Sequence, residues 1–89
     1  MIREQITIIN KLGLHARAAA KLATTAARFG SSIKAGVNGK LVDSKSVMSL
    51  MLLAANQGTL LDLEIEGDDE QKAFDAIAEL INDYFGEGE

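Results

Sequence analysis

Apolar and polar positions change rhythm several times along the 89 residues, and each rhythm predicts an element. In "QITII" (5–9), Ile6 and Ile8 alternate with Thr7 and Ile9, a two-residue period that predicts a strand buried mainly on one face. The run "ARAAAKLATTAARF" (16–29) is rich in alanine, holds Leu22 and few breakers, and predicts a helix. Gly30 follows Phe29, where a helix commonly stops in the left-handed conformation. "SSIKAGV" and "KLVD" flank Asn38-Gly39, the strongest short-range signal for a hairpin. "SVMSLMLLAANQ" (46–57) predicts a second helix that ends at Gly58. In "LLDLEIE" (60–66), Leu61, Leu63 and Ile65 share one face and Asp62, Glu64 and Glu66 the other, a half-buried strand. Asp68 with Gln71 makes a capping box, and the third helix carries Phe74, Ile77, Ile81 and Tyr84 as one stripe.

The order β-α-β-β-α-β-α predicts an α+β fold, with three helices on one face of the sheet and the other face open to water. No linker, repeat or low-complexity stretch interrupts it, so residues 1–89 are read as a single domain.

Composition then narrows the chemistry. The absence of cysteine excludes disulfides and thiolate metal sites, and a single histidine excludes the usual multi-histidine ones. So short a chain buries little core, and no cofactor domain, cofactor or metal is expected. No apolar run reaches about 18 residues, the length that spans a membrane. "MIREQITII" lacks the apolar core and cleavage site of a signal peptide. The expectation is a soluble, monomeric, cytoplasmic protein. The net charge of −4 hides an asymmetry: residues 1–61 hold eight Lys/Arg against two acids, residues 62–89 one Lys against eleven acids. This predicts a basic face for an acidic partner or anionic group, set apart from an acidic C-terminal helix. Nucleic acid fits poorly, because the whole chain is acidic and only 4% aromatic.

The one histidine sits in "LGLHARAA" (12–19), at the mouth of the first helix. Unpaired N–H groups of a first turn point toward such a position, and the macrodipole places roughly half a positive charge there. That charge disfavours the imidazolium by about 0.3–1 kcal/mol and leaves His15 a nucleophilic lone pair. An anion attached to the ring would be received by the same donors. Arg17 adds a fixed cation whose fork can hold two phosphate oxygens. A nucleophile that receives a phosphoryl group needs this set. A lone histidine at a helix start is also commonly a solvated residue or a cap, and the H-x-R spacing alone does not separate these readings. A general-base role in hydrolysis lacks a second group, since the upstream half offers only Glu4 and Asp43 as carboxylates.

Two longer stretches add weight. "INKLGLHARAAAKL" together with "DSKSVMSLMLLAANQG" resembles the HPr family, the small phosphocarrier proteins of the bacterial phosphoenolpyruvate-dependent phosphotransferase system. The likeness spans essentially the whole chain and implies the family's open-faced sandwich, a four-stranded antiparallel sheet under three helices. It implies that His15 is phosphorylated by enzyme I on Nδ1, that Arg17 steadies the phosphate, and that the group passes to an EIIA-type acceptor. The residues themselves do not choose between the two ring nitrogens. Where the family commonly has proline after the arginine, this chain has Ala18, as in the nitrogen-related branch and some proteobacterial members. A nitrogen-related regulatory relay is thus the runner-up to sugar transport, and a non-phosphorylated binding module or a small-molecule hydrolase is a remote alternative.

Ser46 opens the second helix, where serine is a preferred N-cap. The resemblance implies that HPr kinase can phosphorylate it as a regulatory mark, setting a dianion beside the docking surface. The second helix is too apolar to be all core. Leu50 and Leu53 are expected to point inward, leaving Val47, Met48 and Met51 as an exposed patch for several partners, with Ala20 and Lys21 beside it. Arg17, Lys21, Arg28, Lys40 and Lys45 are the expected basic rim.

Overall fold

The computed structural model describes residues 1–89 as β1 (Ile2–Thr7), α1 (Ala16–Ala26), β2 (Ser32–Val37), β3 (Lys40–Asp43), α2 (Val47–Met51), β4 (Leu60–Glu66) and α3 (Glu70–Asn82), closed by a 3-10 turn at Tyr84–Gly86. The strands lie in the order β1-β4-β2-β3 and every neighbouring pair is antiparallel. β1 and β2 run parallel to each other but are separated by β4, the strand that chain order places last. The fold class expected from the pattern is the one observed.

Strand alternation decides which face is covered. Leu61, Leu63 and Ile65 of β4 and Ile33 and Ala35 of β2 are buried against the helices. The opposite face is polar: the Gln5 amide donates to Asp62 at 2.7 Å, and Arg3 pairs with Glu64 at 3.6 Å. On α1, Ala18, Ala19, Leu22, Ala23 and Ala26 are buried, and on α3 Ala73, Ile77 and Ile81. Small alanines let α1 lie close to its neighbours, so a short chain still assembles one cluster of 18 buried apolar residues. The hairpin expected at Asn38-Gly39 forms, with φ of 55° and 82°, the paired positive values of a tight primed turn.

Several boundaries differ from the pattern's prediction. β1 is Ile2–Thr7 rather than 5–9, because β4 begins at Leu60 opposite Thr7 and the ladder stops there. Ile8 is still buried, but its N–H bonds to Thr59 O in the loop. α1 stops at Ala26, and Gly30 is not left-handed. α2 stops at Met51 instead of running to residue 57, and Ala54 at φ 52° reverses the chain after it. The stripe of α3 is Ala73, Ile77 and Ile81, continued past the helix by Phe85; Phe74 is half-buried and Tyr84 exposed.

The expected capping box is absent, since the N-cap is Asp69 and the Gln71 amide donates to Asp75 at 2.9 Å. The Asp69 carboxylate is diverted to the end of the α1–β2 turn, where it accepts from the Ser31 hydroxyl and from the Gly30 and Ser31 N–H groups, both at 3.0 Å. The Ser31 hydroxyl foremost, with the Gly30 amide, holds this carboxyl below its ordinary value of 3.8. A carboxylate depressed in the folded chain stabilises it fully above the unfolded value, and that contribution is lost as pH falls through the depressed one. Asp69→Asn is therefore expected to be less stable than the parent at neutral pH, with the gap closing in acid. Urea unfolding at a series of pH values measures it, and a gap that does not vary with pH would contradict the assignment.

Candidate functional site

The loop between β1 and α1 is held by its backbone. Gly13 has φ +67°, and a side chain there would bring its Cβ to 2.6 Å from the Ala55 carbonyl oxygen. With glycine in place, Leu14 N–H donates to that carbonyl at 2.8 Å, which ties the loop to the chain leaving α2. His15 follows as the N-cap of α1 with extended dihedrals, and its carbonyl accepts the first helical bond, from Ala19 N–H at 2.8 Å. The N–H groups of Ala16, Arg17 and Ala18 precede that bond and have no acceptor in the chain. Proline at position 18 would remove the last of these donors. Ala18 keeps it, and the helix still begins at Ala16.

The imidazole does not cap those amides. Its Nε2 is engaged by a carboxylate oxygen of Glu87, leaving the His15 side chain 28% and the Glu87 side chain 12% exposed. Nδ1 carries no partner. The upstream half offers only Glu4 and Asp43 as carboxylates, and neither reaches His15; the C-terminal segment supplies the carboxylate instead. The other Glu87 oxygen accepts from the Asn10 amide at 3.0 Å, and Asn10 is fully buried. Burial pushes the Glu87 carboxyl up, but the Asn10 amide, His15 and the Lys21 charge outweigh it and hold the group below its ordinary value of 4.5.

Chain reversal brings Glu87 there. Tyr84 and Phe85 take φ of 57° and 53°, Gly86 follows at 76°, and Phe85 turns wholly into the core. Lys21 Nζ donates to the Phe85 carbonyl at 2.6 Å, and Lys11 N–H to Glu89 O at 3.0 Å. The result is an open groove of about 670 Å³ around His15, with Lys11, Arg17 and Lys21 on its walls opposite Glu87 and Glu89. The expected separation of basic face and acidic C-terminus therefore fails at this point: the acidic end folds into the basic groove. A second hollow of about 560 Å³ lies on the open sheet face beside Arg3, Gln5, Asp62 and Glu64, and holds no histidine.

The other sequence candidates are placed as follows. Arg17 is exposed on the groove wall with no hydrogen bond or ion pair of its own. Ser46 caps α2, its hydroxyl accepting from Ser49 N–H at 3.2 Å. Removing the hydroxyl in Ser46→Ala is expected to cost about 1 kcal/mol, read by urea unfolding; no loss would show the cap to be idle. Met48 and Met51 are exposed, but Val47 is half-buried and packs on the core, so it leaves the patch. Leu52, 82% exposed, and Leu12, 67% exposed, join the patch instead; Leu52 is the C-cap at which α2 ends. Leu50 is buried and Leu53 half-buried, as expected. Ala20 is exposed and Lys21 half-buried.

The basic rim is not continuous. The Lys45 ammonium donates to the Phe29 carbonyl at 2.9 Å, past the end of α1 remote from His15, and Arg28 stacks over Phe29 at 5.7 Å. Lys40 starts the edge strand β3. Arg17 and Lys21 remain at the groove, joined by Lys11, which lies outside the rim expected from the sequence.

An antiparallel sheet covered by α1, α2 and α3, with a histidine at the head of α1, is the architecture of the small phosphocarrier class. The family model described as "PTS HPr component phosphorylation site" matches residues 2–83, and the chain belongs to this family. It is 54% identical over 89 residues to phosphocarrier protein HPr of Cupriavidus necator and 52% identical to that of Neisseria meningitidis, each match covering the whole of both chains. Among solved structures, HPr-C-His from Thermoanaerobacter tengcongensis is similar with a TM-score of 0.93 at 45% identity, over 98% of each chain. No helix is long and apolar enough to cross a membrane.

Proposed function

We propose that this chain is a phosphocarrier that takes a phosphoryl group on His15 from enzyme I and passes it to EIIA-type proteins of the sugar phosphotransferase system. The observation that carries the reading is the company of His15: three unpaired first-turn N–H groups, and Arg17 unpaired on the wall of the same groove. Before transfer the ring has a nitrogen without a partner. After transfer, the amides and the guanidinium supply donors for phosphate oxygens. Arg17 is unpaired in the resting chain, so it breaks no internal bond to engage the phosphate.

On this reading the protein turns over no small molecule; it is a covalent carrier working in the cytoplasm as one small domain and a monomer. Transfer needs docking, which aligns two nucleophiles about one phosphorus and excludes water. The exposed Met48, Met51 and Leu52, with Leu12 and Ala20 nearer the groove, are the surface for it, and flexible methionines suit more than one partner. Ser46 caps the same helix, so phosphorylation there by HPr kinase would place a dianion at the head of the docking surface and weaken its binding to acidic partners.

Mixing the chain with phosphoenolpyruvate and enzyme I is expected to add the mass of one phosphate, lost again in acid. No gain in mass would reject the carrier reading and favour a binding module. Turnover of a small phosphate ester without partner proteins would favour a hydrolase.

A further inference from the structure

Asn10 and Glu87 lie at opposite ends of the sequence and meet behind His15. The Asn10 side chain is fully buried, and its amide nitrogen donates both to the Gly13 carbonyl, at 2.8 Å, and to one Glu87 oxygen, at 3.0 Å. Both neighbours are acceptors, which fixes the orientation of that amide. Its own carbonyl oxygen is left buried without a partner. The remaining Glu87 oxygen lies on His15 Nε2, and an ionised carboxylate only accepts, so the ring nitrogen facing it carries the hydrogen.

We propose that Asn10 and Glu87 are positioning residues for His15: Asn10 orients the Glu87 carboxylate, which holds the ring in its Nε2–H tautomer and leaves the Nδ1 lone pair for the incoming phosphorus. The inference rests on the phosphocarrier reading. In the step it serves, the Nδ1 lone pair forms the N–P bond while the bond from phosphorus to a phosphorylated donor protein breaks, and the donor keeps that electron pair. The Nε2 proton stays on the ring throughout, and the carboxylate balances the positive charge the ring acquires as the bond forms. On delivery the electrons return to Nδ1 and the same tautomer is restored. Glu87 is held in place by Lys21 Nζ on the Phe85 carbonyl and by its own N–H on the Tyr84 carbonyl at 2.9 Å.

The test reads the tautomer directly. Nitrogen NMR of histidine-labelled protein at alkaline pH is expected to show Nε2–H alone in the parent, and a mixture of tautomers in Glu87→Ala and Asn10→Ala. Phosphoryl uptake from a phosphorylated donor should fall about 10–100-fold in Glu87→Ala. Asn10 is buried and its variant could fail to fold; Glu87, on the closing segment, keeps the test decisive by itself. An Nδ1–H tautomer in the parent, or a Glu87→Ala variant unchanged in tautomer and uptake, would overturn the proposal. A parent with the expected tautomer that accepts no phosphate would sink the carrier reading instead.

Discussion

His15→Ala is expected to take up no acid-labile phosphate under conditions in which the parent is fully modified. The loss should be complete rather than partial, because the chain has no second histidine and no cysteine to accept the group. The comparison that gives this meaning is Arg17→Ala, which keeps the nucleophile and removes the groove's one unpaired guanidinium. Taking away a single well-placed charge or donor from a developing anion typically costs about 10²–10³-fold in rate. Arg17→Ala should thus slow uptake by that order while leaving the final extent near one phosphate. Arg17 is exposed and makes no internal bond, so its variant should unfold at the same urea concentration as the parent. Acid-labile uptake by His15→Ala at the parent's level would contradict the assignment; a phosphate on Ser46 would be an acid-stable ester and so would not be mistaken for it.

Phe85→Ala is expected to lose about 3–5 kcal/mol of stability, from a total of roughly 5–13 kcal/mol for a chain of this size. Phe85 is the largest of the fully buried side chains, and it reaches the core only because two successive left-handed residues turn the chain inward. Deleting the ring leaves a cavity beneath α3 and removes what offsets that backbone strain. Two residues further on is Glu87, so the same variant should also loosen the carboxylate from His15. Tyr84, its exposed neighbour, serves as the control: Tyr84→Ala should change stability by about 1 kcal/mol or less. Urea unfolding separates the two, and a loss in Phe85→Ala no larger than that in Tyr84→Ala would mean that the ring anchors nothing.

The elements most legible in the sequence were those whose pattern is local. Leu61, Leu63 and Ile65 alternate without interruption, and β4 spans the residues predicted for it. Asn38-Gly39 carries its conformation in its own two residues, and the hairpin forms there. Boundaries set by partners were not legible: nothing in "QITII" says that β4 starts opposite Thr7, and the apolar run 46–57 conceals the turn at Ala54. The histidine at the head of α1 and the serine capping α2 follow from adjacent residues, and both were found. Glu87 was not, because its place depends on left-handed dihedrals at Tyr84 and Phe85, residues whose types argue against them. The glycines of "FGEGE" were the one available hint that the chain turns after α3. Asn10 was missed for the same reason, since a polar residue in a loop declares its burial only when its partner is in place.

The most direct test of the account is an amide NMR spectrum recorded before and after phosphorylation with phosphoenolpyruvate and enzyme I. If the head of α1 cradles a phosphoryl group on His15, the N–H signals of Ala16, Arg17 and Ala18 should move furthest, toward stronger hydrogen bonding, while those of the open sheet face at Gln5 and Asp62 stay in place. Largest shifts around Ser46, or none at the first turn of α1, would contradict it.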